Sequence, residues 1–153
     1  MGKEKGEKFW EDFQIGDEWT SPGRTITEAD VVLFAGLTGD FNPIHVDKEF
    51  AKATPFGERL VHGLLVGCIG TGLTTSLRDF YEDVRYKVLL SAKFEFKAPV
   101  YIGDTIRVKV KVTEKKETKH RERGLIAFER TILNQNDQAV QVLTHTYLFS
   151  RRV

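Results

Sequence analysis

Phe34-Ala35-Gly36-Leu37-Thr38-Gly39-Asp40-Phe41-Asn42-Pro43-Ile44-His45 puts a carboxylate, an amide and an imidazole on one short loop, and Leu60-Val61-His62-Gly63 then opens a long uncharged segment. Gly39 stops the helix before it, and Asn42, ahead of a proline, is pushed out of the helical region. From Gly63 to about Phe80 the residues Leu64, Leu65, Val66, Cys68, Ile69, Leu73 and Leu77 leave no clearly polar face. That spacing predicts one helix buried on most sides. Gly67, Gly70 and Gly72 cost it helix propensity, so their presence predicts a close approach of backbone or ligand.

Upstream, Ile15-Gly16-Asp17-Glu18-Trp19 reads as a turn feeding a first strand, ended by Ser21-Pro22-Gly23. Thr27-Glu28-Ala29-Asp30 resembles a capping box, and Val31, Phe34, Ala35 and Thr38 recur at helical spacing, giving a helix over Glu28 to Leu37. Asp47 is placed to cap a second short helix, Lys48 to Ala53, with Phe50 and Ala51 facing inward. Downstream of Tyr86 the period changes to two. Leu90, Ala92, Phe94, Phe96, Ala98 and Val100 alternate with polar residues, as do Ile106, Val108, Val110 and Val112. Both runs read as half-exposed antiparallel strands. Glu114 to Gly124 is a charged hairpin end. Leu125 to Leu133 and Ala139 to Phe149 are apolar on both faces, as strands inside a covered sheet are, with Asn134-Gln135-Asn136-Asp137 turning between them.

The 153 residues suit one domain spanning 1–153, with residues 1–8 expected to be flexible. Lys plus Arg is 23 and Asp plus Glu is 22, a balance that argues against a nucleic-acid partner. Cys68 is the single cysteine, so no internal disulfide framework exists, and a reducing, cytoplasmic setting is expected. Leu60 to Leu77 lacks charge but contains His62, Thr71, Thr74, Thr75, Ser76 and four glycines, too polar for a membrane span. The four histidines and Cys68 show no metal-ligand spacing, so no metal is expected, and no dinucleotide or phosphate-loop motif is present. The class is α+β: one buried helix followed by antiparallel strands that curl round it. Such a sheet leaves an edge open and the helix ends poorly covered, which pairing of two chains would remedy.

An isolated D-x-N-P is commonly a plain turn. Its neighbours here add chemistry. Asp40 and His45 on one rigid loop can hold a water between them, and an imidazole titrating near neutrality can take or return a proton. A carboxyl in an apolar setting, supplied by Phe34, Phe41 and Ile44, can do the same work. Asn42 can orient Asp40 or the water. A helix start at Gly63 presents unpaired N–H groups and the positive end of a dipole, suited to a thioester oxygen becoming an enolate.

These residues resemble the hydratase motif of the MaoC-like, or (R)-specific enoyl-CoA hydratase, family: Phe34 to Gly39-Asp40, Asn42-Pro43-Ile44-His45 and Ala51, then Pro55-Phe56-Gly57 and Arg59-Leu60-Val61-His62-Gly63-Leu64. The resemblance runs from about Asp12 to Phe149. It implies a hot-dog fold and reversible syn hydration of a trans-2-enoyl-CoA to the (R)-3-hydroxyacyl-CoA, with no metal or cofactor. By the same match Asp40 and His45 are the acid–base pair, Asn42 supports them, and the Gly63 amide is the oxyanion donor. Phe41, Pro43, Ile44, Phe56, His62 and Thr71 are the substrate-side candidates. Arg59, Arg78, Lys93 and Lys97 are candidates for coenzyme A by charge alone, and a plain solvated face is the better reading of each. The implied partner is an acyl-CoA or acyl-carrier thioester, handled by a homodimer or larger assembly. An acyl-CoA thioesterase and a non-catalytic thioester-binding subunit are the alternatives on the same fold.

Overall fold

The computed structural model describes residues 8–77, 80 and 87–152. Residues 1–7 of the stretch 1–8 expected to be flexible, and positions 78 and 79 of the helix expected to run to about Phe80, Arg78 included, lie outside them.

Six antiparallel strands make one sheet: β1 (Glu18–Thr20), β2 (Arg24–Thr25), β3 (Lys87–Phe96), β4 (Thr105–Glu117), β5 (Arg123–Leu133) and β6 (Ala139–Ser150). The order is β1-β4-β5-β6-β3, with β2 also on β4. As the alternation predicts, Ile106, Val108, Val110 and Val112 of β4 are each 0% exposed. Each such burial contributes about 1.5–3 kcal/mol. β5 and β6 lie inside the sheet, as their apolar character implied, and so does β4; the inward rows of β5 and β6 also carry Arg130, Gln141 and His145, all buried. Burial first, then the charges of Arg130 and Lys87, hold the His145 imidazole down to about 4, so it stays neutral in the core. β3 is more exposed than its alternation suggests. Among the described residues it pairs only with β6, and Leu90 and Phe96 are 55% and 60% exposed.

Local chemistry sets the short helices. α1 (Glu28–Thr38) starts at the Thr27/Asp30 capping box and stops at Gly39, whose φ of 76° is the left-handed conformation that glycine adopts without strain. α2 (Pro43–Val46) is a single turn that the sequence reading did not anticipate; the Asn42 side chain caps it and Pro43 fills its first position. α3 (Lys48–Lys52) starts where Asp47 accepts from the N–H groups of Glu49 and Phe50. Only Ala51 of α3 is buried; Phe50, expected inward, faces solvent.

α4 (Gly63–Leu73) lies against the sheet. A Cβ at Gly63, Gly67 or Gly70 would come within 2.5, 2.5 or 2.4 Å of Phe96, Phe94 or Ile132, so the close approach expected at Gly67 and Gly70 is made by sheet side chains; Gly72, expected to be a third such point, meets nothing within 4 Å. α4 is shorter than its spacing predicts. It passes at Thr74–Ser76 into a 3-10 turn, where the hydroxyls of Thr74, Thr75 and Ser76 donate to the carbonyls of Thr71, Gly72 and Leu73. Nor is it covered on most sides: Leu64 and Cys68 form an exposed row within this chain. Among the described residues no helix is long and apolar enough to cross a membrane.

Candidate active site

Two hydrogen bonds, one from the backbone and one from the His45 ring, clasp the Asp40–His45 loop to the segment that leads into α4. The Leu60 N–H donates to the Ile44 carbonyl at 3.1 Å, and the His45 Nδ1–H donates to the Leu60 carbonyl at 2.8 Å. The Val61 N–H donates to the Val100 carbonyl at 2.8 Å, tying the same segment to the loop after β3. A carbonyl only accepts, so the His45 Nδ1 carries the hydrogen and its Nε2 is left as the basic nitrogen.

The Asp40 carboxylate, His45 and His62 each present a polar atom within 4.8 Å of the other two. One water bonded at about 2.8 Å to each side spans such a gap. Asn42 acts through its backbone as well as its amide: its N–H donates to Asp40 Oδ1 at 3.3 Å, while its side-chain oxygen accepts from the Ile44 N–H to cap α2. The side chain expected to orient a water therefore holds the turn that carries His45.

His62 is 2% exposed, and its Nε2–H donates to the Asp40 carbonyl at 3.0 Å. Its ring stacks on His45, centroids 3.9 Å apart and planes 27° apart, with Phe34 on it at 5.0 Å. Burial, chiefly, lowers the His45 imidazole below its ordinary range, and the neighbouring His62 adds to this; the Leu60 carbonyl and Asp40 pull the other way without overcoming it. Two ring nitrogens are spent on carbonyl oxygens, and the His62 Nδ1 is buried from solvent. The trio is thus better arranged to hold a water than to coordinate a cation.

Among the described residues no side chain caps the start of α4, whereas Asn42 and Asp47 accept from the first N–H groups of α2 and α3, and the Asp30 carboxylate accepts from the Thr27 N–H and hydroxyl at the start of α1. The Gly63 N–H therefore points out of a helix end that its own chain leaves open. Gly63, His45, Phe56, Val66 and Phe96 line a cleft of about 340 Å³, and Gln141 lines it as well. Asp40 is not among its walls and connects to it through His45.

The other candidates divide. Phe56 is a cleft wall, Ile44 supplies the carbonyl that receives Leu60, and Phe41 and Pro43 are exposed on the loop. Thr71 is not brought to the site; it sits two turns along α4, about 12 Å of rise from Gly63, with its hydroxyl on the Gly67 carbonyl. Arg59 pairs with Glu28 at the start of α1, and Lys93 and Lys97 both pair with Glu95, Lys97 also lining the cleft. The sequence reading missed Gln141, whose amide donates to the Gly63 carbonyl at 3.2 Å. A polar residue at an inward position of β6, in step with Leu143 and His145, was the signal that could have found it.

An antiparallel sheet laid on one helix, with an acid–imidazole loop at that helix's start, is the architecture of a hot-dog protein. The chain belongs to the MaoC like domain family, whose profile matches residues 12–131. A 3-hydroxybutyryl-CoA dehydratase of Methylorubrum extorquens is 42% identical over 107 residues, which are 69% of this chain and 64% of that one. An (R)-specific enoyl-CoA hydratase of Rhodospirillum rubrum is 40% identical over 106 residues, 69% of each chain. The matched region thus spans about two thirds of these two relatives. A protein from Archaeoglobus, solved as a monoamine oxidase regulatory protein, superposes with a TM-score of 0.91 at 32% identity, over 97% of this chain and 98% of that one.

Proposed function

We propose that the chain is an (R)-specific hydratase/dehydratase that adds water reversibly across a trans-2-enoyl-CoA thioester. The observation that carries this reading is the Asp40/His45 loop clasped beside the uncapped start of α4, both at one apolar cleft. The names of the two curated relatives support it. The thioester carbonyl sits at the Gly63 N–H, where the helix dipole stabilises negative charge. Water lies between the Asp40 carboxyl and the His45 Nε2. One of the pair takes the water's proton as its oxygen bonds to C3. The C2–C3 π electrons move toward the carbonyl, which becomes an enolate oxygen held by Gly63. The proton taken from the water is handed across the pair and delivered to C2 as the enolate collapses, which returns both groups to their starting state. Addition from one side places both new bonds on the same face, which gives a syn product of one hand. Nothing in this sequence calls for a metal or an organic cofactor.

Crotonyl-CoA is the first assay: loss of the enoyl absorbance with formation of the (R)-3-hydroxy product is the expected result. Release of free thiol would replace the reading with a thioesterase, and tight binding without turnover with a non-catalytic thioester-binding subunit.

The working form is a homodimer in the cytoplasm. The free edge of β3, the exposed Leu89, Leu90 and Phe96 on it, and the Leu64/Cys68 row of α4 are together the surface a second copy would cover. Sedimentation equilibrium is expected to return at least twice the 17.5 kDa chain mass; a monomer at micromolar concentration would remove this part of the reading.

A further inference from the structure

His62 touches both halves of the acid–base pair, yet nothing in the hydration steps uses it. A helix-start histidine is normally either a cap or a solvated side chain. Here it caps nothing, is 2% exposed, and leaves its Nδ1 buried with no hydrogen-bond partner among the described residues. Burying a polar nitrogen without a partner is unfavourable, and an apolar ring of similar size would fill the same space without that cost. An imidazole kept under those conditions points to work beyond packing.

We propose that His62 is a positioning residue of the acid–base pair: its ring, stacked at 3.9 Å on His45, and its Nε2–H, bonded to the Asp40 carbonyl, together fix the separation and facing of the two catalytic groups. The two contacts reach different parts of the loop. One meets the residue that opens it and the other the residue that closes it, so a single buried side chain braces the loop at both ends. Around His62 stand Phe34 from α1, His45 from α2 and Asp40 from the loop between them; His45 and Asp40 are thus the titratable groups that face it. Two stacked imidazoles cannot both carry charge cheaply, so His62 also disfavours protonation of His45 and keeps it ready to accept. The depressed titration of His45, to which His62 contributes, agrees with that geometry.

Two substitutions separate the contacts. His62→Gln places an amide nitrogen where Nε2 stands and can still reach the Asp40 carbonyl, but it removes the ring. His62→Phe keeps a ring against His45 and removes the donor. Both are compared with the wild type by circular dichroism and thermal unfolding, by kcat on crotonyl-CoA, and by NMR titration of the imidazoles. His62→Phe is expected to melt no lower than wild type while its kcat falls by about 10- to 100-fold, the scale of a small misplacement of reacting groups. In His62→Gln the His45 titration is expected to move to higher pH, and the acid limb of kcat is expected to move with it. A purely structural role predicts neither; it predicts losses that follow the folded fraction. An unmoved His45 titration in His62→Gln overturns the proposal, and so does a His62→Phe variant that keeps the wild-type kcat. The rate arm rests on the hydratase reading. Should the wild-type chain hydrate no enoyl thioester, that reading fails by itself, and the titration alone then decides whether His62 governs His45.

Discussion

Asp40→Asn is expected to lower kcat for enoyl-thioester hydration by about 10²- to 10⁴-fold, the usual worth of a positioned acid or base. The substitution is close to isosteric. Asp40 is exposed, and the hydrogen bond its carboxylate makes among the described residues is the one it accepts from the Asn42 N–H, which an amide oxygen also accepts. The loop should therefore keep its shape while losing a group that can gain or release a proton. His45→Gln should cost a similar factor, plus some stability, because the bond to the Leu60 carbonyl goes with the ring. Variants of either kind that fold and keep the full rate would remove the acid–base assignment.

The wild-type pH profile follows from the same residue. Burial holds the folded His45 below the ordinary histidine value of about 6.5, so the imidazole is neutral and basic through neutrality, and the acid limb of kcat/KM falls below that value. The unfolded chain then binds the proton more readily than the folded one. His45 costs nothing in stability above about pH 6.5 and destabilises progressively as pH falls through the window beneath it. An acid limb centred above 6.5 would contradict the burial seen here.

Gly67→Val is the largest expected effect on stability. The new Cβ would lie 2.5 Å from the ring of Phe94 and 3.1 Å from Leu143, and Leu143 is fully buried with nowhere to move. A destabilisation of about 3 kcal/mol is expected, the upper part of the range for overpacked cores. For a chain of this size that corresponds to a drop in Tm of roughly 6–12 °C. Gly72→Ala is the control on the same helix. It meets nothing within 4 Å and should stabilise by about 0.5–1 kcal/mol through backbone entropy alone. If the two variants melt alike, α4 does not sit on the sheet as described.

Much of this arrangement was readable because its signals are local. Thr27 and Asp30 make a capping box within four residues, Asp47 caps within three, and the valines of β4 declare a buried face by alternation alone. The loop chemistry was readable for the same reason, since Asp40 and His45 lie on one turn. The extent of α4 was not. Apolar spacing continues to Leu77, but three hydroxyls in a row compete for the helix's own carbonyls and tighten the chain into a 3-10 turn. Phe50 was misplaced because a five-residue helix has one inward position and Ala51 takes it. The partnership of His62 with His45 and that of Gln141 with Gly63 span 17 and 78 residues, and only the closed fold brings them together. β3 was read as half covered because alternation records which face is apolar, not whether another surface reaches it.

The row of glycines along α4 has a bearing on which acyl groups fit. With the rings of Phe96 and Phe94 and the Ile132 side chain pressed against bare backbone, no hydrocarbon tail can thread beneath the helix. On the proposed reading, the space open to a fatty chain is the cleft itself, whose walls include Phe56, Val66 and Lys97. Tolerance for longer tails would therefore be decided by the side chains that wall this cleft, and not in the filled space between helix and sheet.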